Sequence, residues 1–488
     1  LVSAELAFSL RVVAALLATA TAVLWLRARE QGRTLRLRFV PATAHWVQTG
    51  VHAALFTAWG LHWDGVAAHA PHLLAQVLFY YAFQLLLGWS RGDEARTGFG
   101  PIPIVGSVNL FLWFRDDWFL AQFGLLAIGA LAKEWVLWER DGRRTHVFNP
   151  SSFPLFFVCA LLWIGNADRL TFAGDIAVSQ GQVPHAWLLI FFLGLIVQAR
   201  FATTLVTLSA LVALYLANVA YTGVTGVYCW VDVGVPAAIF LGCNFLVTDP
   251  ATSPSTARGR AAFGALYGLA VFGLYLWLRE VDGPAYYDKL LCVPLLNLMV
   301  RRLDRLGGPP ARRANALWVG LGAAVFAVLY ATHFLGPGHP GKRVAFWEEA
   351  CREGRWHACQ SWTEVVDAQC HEGDWALCET QADLLIEGTH LARDLPDAGY
   401  HLALACQEGV ASACQRAGPF LADGGAAALS ADCDDDVGLS CLVLGTLRLE
   451  AEGPGIDAAR RREIEHSIDR ACTLGMPEAC RFLDARQP

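Results

Sequence analysis

Lysine is nearly missing from this chain: there are three in 488 residues, beside only two methionines. With a net charge of −7, no basic surface is available to hold a polyanion, and nucleic acid is excluded as a partner. No GxGxxG stands at a strand-to-helix junction, so the chain has no dinucleotide site of its own. Cys159, Cys229, Cys243 and Cys292 are isolated in apolar runs without iron–sulfur spacing, and read as buried small apolar side chains.

What is present in excess is apolar. The chain is 55% hydrophobic with mean hydropathy +0.39, above the roughly 45–50% of ordinary soluble domains. The excess lies before residue 336, in stretches near 6–26, 41–60, 72–90, 101–115, 118–137, 147–165, 186–199, 201–221, 231–248, 261–279, 284–300 and 314–335. Several reach the roughly 20 residues that cross a bilayer, while 101–115 and 186–199 are short enough to be re-entrant or broken. The expected fold is all-α: a polytopic transmembrane bundle of about ten to twelve helices over residues 1–335. Gly- and Pro-rich GPGHPGKR (336–343) reads as a linker.

Arginines set the orientation by the positive-inside rule. Arg27, Arg29, Arg33, Arg36 and Arg38 place the first loop in the cytoplasm, and the clusters at 143–144, 258–260 and 301–313 mark later cytoplasmic loops. From Lys342 onward the chain has 13 basic and 26 acidic residues, and the membrane part is correspondingly basic. This places the C-terminal region outside a bacterial cytoplasmic membrane.

That region, 344–488, holds ten of the fourteen cysteines in five C-x7-C pairs: Cys351/Cys359, Cys370/Cys378, Cys406/Cys414, Cys433/Cys441 and Cys472/Cys480. Residues eight apart on one helix are about 12 Å apart, beyond the roughly 7 Å Cα limit for a disulfide. Each bonded pair must straddle a turn. In four copies a glycine stands three residues after the first cysteine, suited to a left-handed helix end. In the remaining copy, Cys433/Cys441, Gly438 comes two positions later and is expected to serve the same turn. The pattern predicts helix-turn-helix units stapled at their turns, and an oxidising compartment. With small residues before the second cysteine (His-Ala-Cys359, Ser-Ala-Cys414, Glu-Ala-Cys480), the units resemble SEL-like repeats, relatives of tetratricopeptide repeats. The resemblance implies an α-solenoid with a concave protein-docking surface. Asp432, Asp434, Asp435 and Asp436 form an acidic loop that could hold calcium, or simply be solvated.

Two proline motifs lie on the cytoplasmic side: HVFNPSSFPL (146–155) and NFLVTDPATSPSTARGR (244–260). Asn149-Pro150 and Asp249-Pro250 break helix and free backbone groups, while Ser151, Ser152, Thr252 and Ser253 are expected to cap the following helices. Such helix starts suit an anion or a cofactor phosphate, or are ordinary capped turns. Other candidates are polar groups at membrane depth. Lys133, Asp232 and Asn297 are candidate ion-path residues, and Asn109, Asn218 and Asn244 are expected to link helices. His45 and His52 lie about 10 Å apart along one helix face and cannot share a metal. His62, His69 and His72 are a weak outer metal signal.

The segment VTDPATSPSTARGRAAFGALYGL, followed by Asn297 and Asp304, resembles the NqrB/RnfD family. These are membrane subunits of the sodium-pumping NADH:quinone oxidoreductase and of the Rnf electron-transport complex. Phe148, Asn149 and Pro150 resemble the family's FNPA element, and Ala132-Lys133 an Ala-Lys pair; the likeness runs over about 95–305. It implies electron transport or ion translocation beside other membrane subunits. Members with covalent FMN attach it at an S-x-A-T motif, which the loop 166–185, with Thr171 as its one threonine, lacks. The implied cofactor is therefore a noncovalent FMN or riboflavin near Asn149, Pro150, Ser151, Thr248, Asp249 and Thr252. A small-solute channel and a membrane-anchored scaffold are the alternatives.

Overall fold

A computed structural model describes residues 3–140, 142–231, 233–334 and 338–484. The chain divides into two units, residues 1–220 with 234–337, and residues 221–233 with 338–488. Asp232, an expected ion-path residue, lies outside the described residues, as do parts of the linker.

The first unit contains α1 (Ala4–Glu30), α2 (Thr43–Gly60), α3 (Asp64–Arg91), α4 (Pro101–Asn109), α5 (Phe119–Trp135), α6 (Ser152–Ile164), α7 (Ala173–Gln182), α8 (Ala186–Phe201), α9 (Thr204–Thr225), α10 (Ala237–Leu241), α11 (Ala257–Glu280), α12 (Val293–Asp304) and α13 (Asn315–Phe334). Among the described residues, five segments are long and apolar enough to cross a membrane: α1, α3, α9, α11 and Ala311–Ala331. The pair α7–α8, bent by 99°, makes a sixth if counted as one span. The other apolar stretches are shorter or broken helices, because prolines and polar loops interrupt them. The protein is a multi-pass membrane protein. Two short sheets, unannounced by the helical pattern, also form. Arg36–Phe39 (β1) pairs parallel with Glu94–Thr97 (β2), and Leu137–Arg140 (β3) pairs antiparallel with Arg143–His146 (β4).

Close backbone contact joins α9 to α11. A Cβ on Gly264 would fall 2.1 Å from the Val206 carbonyl oxygen, and one on Gly268 2.4 Å from that of Ala210. Small residues four apart let helix backbones approach where lipid removes the hydrophobic drive. Gly264→Leu should therefore push the helices apart at about 1–3 kcal/mol, read as a lower thermal midpoint of the detergent-solubilised chain. An unchanged midpoint would contradict this packing.

The second unit contains α14 (Val344–Arg352), α15 (Ala358–His371), α16 (Trp375–Glu387), α17 (Leu395–Gln407), α18 (Ala411–Phe420), α19 (Ala426–Asp434), α20 (Gly438–Glu452), α21 (Ala458–Thr473) and α22 (Pro477–Asp484). Consecutive helices pack as an α-solenoid. Cys351–Cys359, Cys370–Cys378, Cys406–Cys414, Cys433–Cys441 and Cys472–Cys480 are all disulfides, with Cα atoms 4.5–4.8 Å apart across the turn. Gly354, Gly373, Gly409 and Gly475 take positive φ as the spacing requires.

The Cys433–Cys441 copy departs from the expectation. Its left-handed residue is Asp436 (φ 65°), not Gly438. The turn geometry fixes the position three after the first cysteine, whatever residue stands there. Gly438 instead opens α20 and lets Met476 and Leu474 pack close. Cys441 then lies in the first turn of α20, fully buried, in one apolar cluster with Cys433, Ile468 and Ala471. Two carboxylates of the acidic loop are paired within the chain: Arg470 meets Asp434 and Asp436, each at 3.1 Å.

Residues 221–233 belong to this second unit. Val227 packs with Trp347, Ala350 and Cys351 in one apolar cluster, and Arg355 donates to the Gly226 carbonyl at 2.8 Å. Deeper in the unit, the His401 ring is 2% exposed, with Nδ1 3.5 Å from Cys370 Sγ and Nε2 3.4 Å from Asp367. Burial holds its pKa below the usual histidine value, and the Asp397 and Asp367 carboxylates oppose this only in part. The unfolded chain then binds the extra proton, so this contribution is complete above about pH 6.5 and is lost as pH falls below it. His401→Gln should flatten the fall in thermal midpoint of the second unit between about pH 7.5 and 5.5. A slope equal to that of the unsubstituted chain would contradict it.

Candidate functional site

Both proline motifs reach the same place. A cavity of about 250 Å³ in the first unit is lined by Asn149, Pro150 and Ser151 of the first and by Thr248, Asp249, Pro250 and Ala251 of the second. Lys133 from α5 and His45, Gln48 and His52 from α2 complete much of its wall.

Each loop is held by its own acid or amide. Asn149 Oδ1 accepts from Ser151 N (2.9 Å), Ser151 Oγ (2.8 Å) and Ser152 N (3.3 Å), so the asparagine closes the turn that starts α6. Ser151, expected as the cap, makes no capping bond. Asp249 does the same in the second loop, accepting from Ala251 N at 3.1 Å and Thr252 Oγ1 at 2.9 Å. Thr252 and Ser253, also expected as caps, are turn residues. Thr256 caps α11 instead, accepting from Gly259 N at 3.2 Å. Short side chains before proline bond their own backbone two or three residues on, which explains this shift.

Asn297 ties the loops together. From α12, its Oδ1 accepts from Asn149 N at 3.2 Å and its Nδ2 donates to the Thr252 carbonyl at 3.2 Å. Its amide is thus engaged on both sides by backbone and positions the two loops. Seven residues on, Asp304 Oδ1 accepts from Ser255 N at 2.7 Å, and its Oδ2 pairs with Arg140 at 2.9 Å. Arg140, at the end of β3, also donates to the Ser253 carbonyl at 2.9 Å. The buried Arg260 donates to the Pro254 carbonyl at 2.7 Å and to that of Ala202. Asn, Asp and the two arginines therefore form a frame around the loops.

The cavity retains polar groups that the frame does not satisfy. His45 Nδ1 is buried without a hydrogen-bond partner. His146 Nε2, at 3.5 Å from Asp249 Oδ2, has none of good geometry either. Lys133 has no ion-pair partner within 4.0 Å among the described residues; its neighbour Glu134 pairs with Arg91. His52 is satisfied: Nδ1–H donates to the Gln48 carbonyl at 2.7 Å, which leaves Nε2 to accept from Ser107 Oγ at 3.0 Å. Sequence reasoning excluded His45 and His52 as a shared metal site and missed Gln48, Arg140 and His146 at the loops. The signal was a polar stripe at i, i+3 and i+7 on an otherwise apolar α2.

The remaining candidates fall elsewhere. Asn109 bonds Gln76 (2.7 Å) and Asn244 accepts from Gln198 (2.7 Å), both between helices. His69 bonds Asn109 and His72 bonds Asp116, each at 2.9 Å, so they do not converge on a metal. Thr171 is buried, and its hydroxyl donates to the Asp168 carbonyl within its own turn. Among the described residues, the three-ligand clusters are disulfides beside His390, His401 or Glu450. Their sulfurs are bonded to each other and offer no thiolate.

Residues 145–308, which contain both loops, α12 and the tie at Asn297, match the family model for NQR2, RnfD and RnfE. This segment resembles that family. The chain is 45% identical over 62 residues to the D subunit of the ion-translocating oxidoreductase complex of Sodalis glossinidius, covering 12% of this chain and 18% of that protein. To the protein of the same name from Haemophilus influenzae it is 38% identical over 80 residues, 16% of this chain and 22% of the relative. To that from Vibrio atlanticus it is 42% identical over 62 residues, 12% and 18%. The chain thus spans about a fifth of the length of these curated relatives. No solved structure matches it. Within the family segment, the FNP and TDP elements and the Asn and Asp of α12 acquire a physical meaning: they are the two turns and the frame that holds them together.

Proposed function

We propose that the first unit is the membrane subunit of an ion-translocating oxidoreductase complex, and that its cavity binds FMN or riboflavin noncovalently. The observation that carries this is the convergence of both proline loops and Lys133 on one cavity whose polar groups are incompletely paired. Buried unpaired polar groups are costly, and a ligand that bonds them removes that cost. The residues fit a flavin ring or headgroup. Its acceptor edge suits the Lys133 ammonium and the ring nitrogens of His45 and His146, while the backbone at Pro150 and Pro250 bounds the other side. The volume is near the lower end of ligand sites, about 300–1,000 Å³, so a ring system fits better than a dinucleotide. A bound flavin would supply one- and two-electron transfer. Lys133 would hold negative charge on the ring, and the Asn297 tie would fix the wall.

Electron donor, acceptor and ion path would be shared with other membrane subunits. The second unit, extracytoplasmic by the arginine and cysteine patterns, would dock a protein partner through its SEL-like solenoid. Lys133→Met should lower flavin affinity at least about tenfold, the loss of one charge-assisted bond. Equal retention of flavin by the variant and the parent chain on gel filtration would count against the site.

A further inference from the structure

The first unit buries a second set of charges away from the cavity. Asp288 and Lys289 follow a single turn of 3₁₀ helix, Ala285–Tyr287, and their side chains are 1% and 4% exposed. Asp288 Oδ1 accepts from Lys289 N at 2.5 Å and from its Nζ at 3.0 Å; Nζ also donates to the Tyr286 carbonyl at 2.7 Å. Neither residue stood among the sequence candidates, because they adjoin an apolar stretch and carry no motif.

The surroundings give its depth. A Cβ on Gly242 would lie 3.5 Å from Lys289 Cβ and 2.7 Å from Tyr267 Oη. Tyr267 is the eleventh of the 24 residues of α11, near the middle of a spanning helix. Its hydroxyl is buried and has no hydrogen-bond partner. Cys159, Cys243, Cys292 and Tyr287 are likewise buried, and Tyr286 Oη donates to Asp168 at 3.3 Å.

From Gly242 the backbone runs as a π turn, Gly242–Leu246, a feature frequent at functional sites. Polar bonds follow it. Thr207 Oγ1 donates to the Cys243 carbonyl at 2.9 Å, Gln198 Nε2 to Asn244 Oδ1 at 2.7 Å, and Thr248 Oγ1 to the Asn244 carbonyl at 2.7 Å. Thr248 and the next residue, Asp249, stand in the cavity wall.

We propose that Asp288 and Lys289 form a proton-exchange site at mid-membrane depth, joined to the cavity by the polar track of the π turn. An ionisable pair buried in a membrane domain is costly and marks an ion route more often than a structural brace. The exchanged ion is a proton and not a metal cation. Metal cations of this kind need several oxygens, whereas the carboxylate here is met by two N–H donors, one of them an ammonium 3.0 Å away. Uptake forms one O–H bond on Asp288 and removes its charge, and Lys289 keeps its bond to the Tyr286 carbonyl. Release returns the proton and restores the pair. The purpose of the site rests on the ion-translocating reading above; its existence does not depend on flavin.

The test is infrared difference spectroscopy of the full chain in lipid nanodiscs during a pH titration. A carboxylic-acid C=O band should appear on acidification, be lost in Asp288→Asn, and move its midpoint up by about one pH unit or more in Lys289→Gln, where the opposing cation is gone. The neutral double variant Asp288→Asn/Lys289→Gln should fold and show no band. A band that persists in Asp288→Asn overturns the proposal, as does one abolished when Na⁺ replaces choline. A chain without flavin that still shows the Asp288 band sinks the cavity reading alone. A flavin-bearing chain without it sinks this one alone.

Discussion

Asn297→Ala is expected to lower the stability of the membrane unit by about 3–5 kcal/mol and to abolish retention of any ligand in the cavity. The asparagine is 1% exposed and is shared by two loops that lie 148 and 45 residues away in the chain. Truncation leaves the Asn149 N–H and the Thr252 carbonyl buried without partners, each at about 1–3 kcal/mol, and adds a small cavity. Asn297→Asp should be no rescue, because its second oxygen would face the Thr252 carbonyl. The double variant Asn297→Ala/Asn149→Ala should lose less than the two single losses combined, since each change alone already loosens the Asn149 turn: one removes the Asn149 side chain that closes it, the other the acceptor of its backbone N–H. The check is a thermal or denaturant midpoint in detergent for all three variants. Additive losses would show that the loops are held independently of Asn297.

Complete reduction should unfold the second unit while leaving the first intact. Each disulfide closes a nine-residue loop, and the chain-entropy argument assigns such a loop about 2–3 kcal/mol. Five together contribute about 10–15 kcal/mol, comparable to the whole stability of a typical domain, roughly 5–15 kcal/mol. The helices they join bury Leu385, Leu402, Phe420 and Leu429 among many small residues such as Ala398, Ala405, Ala413 and Ala417, so the disulfides supplement a core thinned by alanine. The fully buried Cys370–Cys378 bond should reduce after Cys406–Cys414, where Cys414 is only partly buried. Limited proteolysis of the full chain with and without dithiothreitol reads the result. A C-terminal unit that stays resistant after full reduction would overturn this account.

Much of this was legible in the sequence, and what was not has physical reasons. The stapled turns could be read because cysteine spacing and glycine position both constrain one backbone geometry. Asp436, in the turn between Cys433 and Cys441, escaped notice because a left-handed aspartate leaves no compositional mark. The two proline motifs were visible separately. Their meeting was not, because it depends on the Asn297 amide and on Arg140 at the end of a four-residue strand that helical periodicity hides. The loop 221–233 likewise carries no signal that its Val227 packs beside Trp347. His45 and His52 were tested only as a shared metal site. Spacing excludes that correctly, but it does not bear on lining a cavity.

The most direct test of the central claim is the flavin content of the purified full chain, measured by absorbance before and after denaturation. About one flavin per chain, released into the supernatant on denaturation, is the predicted result, with the amount falling in Lys133→Met and vanishing in Asn297→Ala. No flavin at any stoichiometry, or flavin that stays attached to the denatured chain, would contradict it.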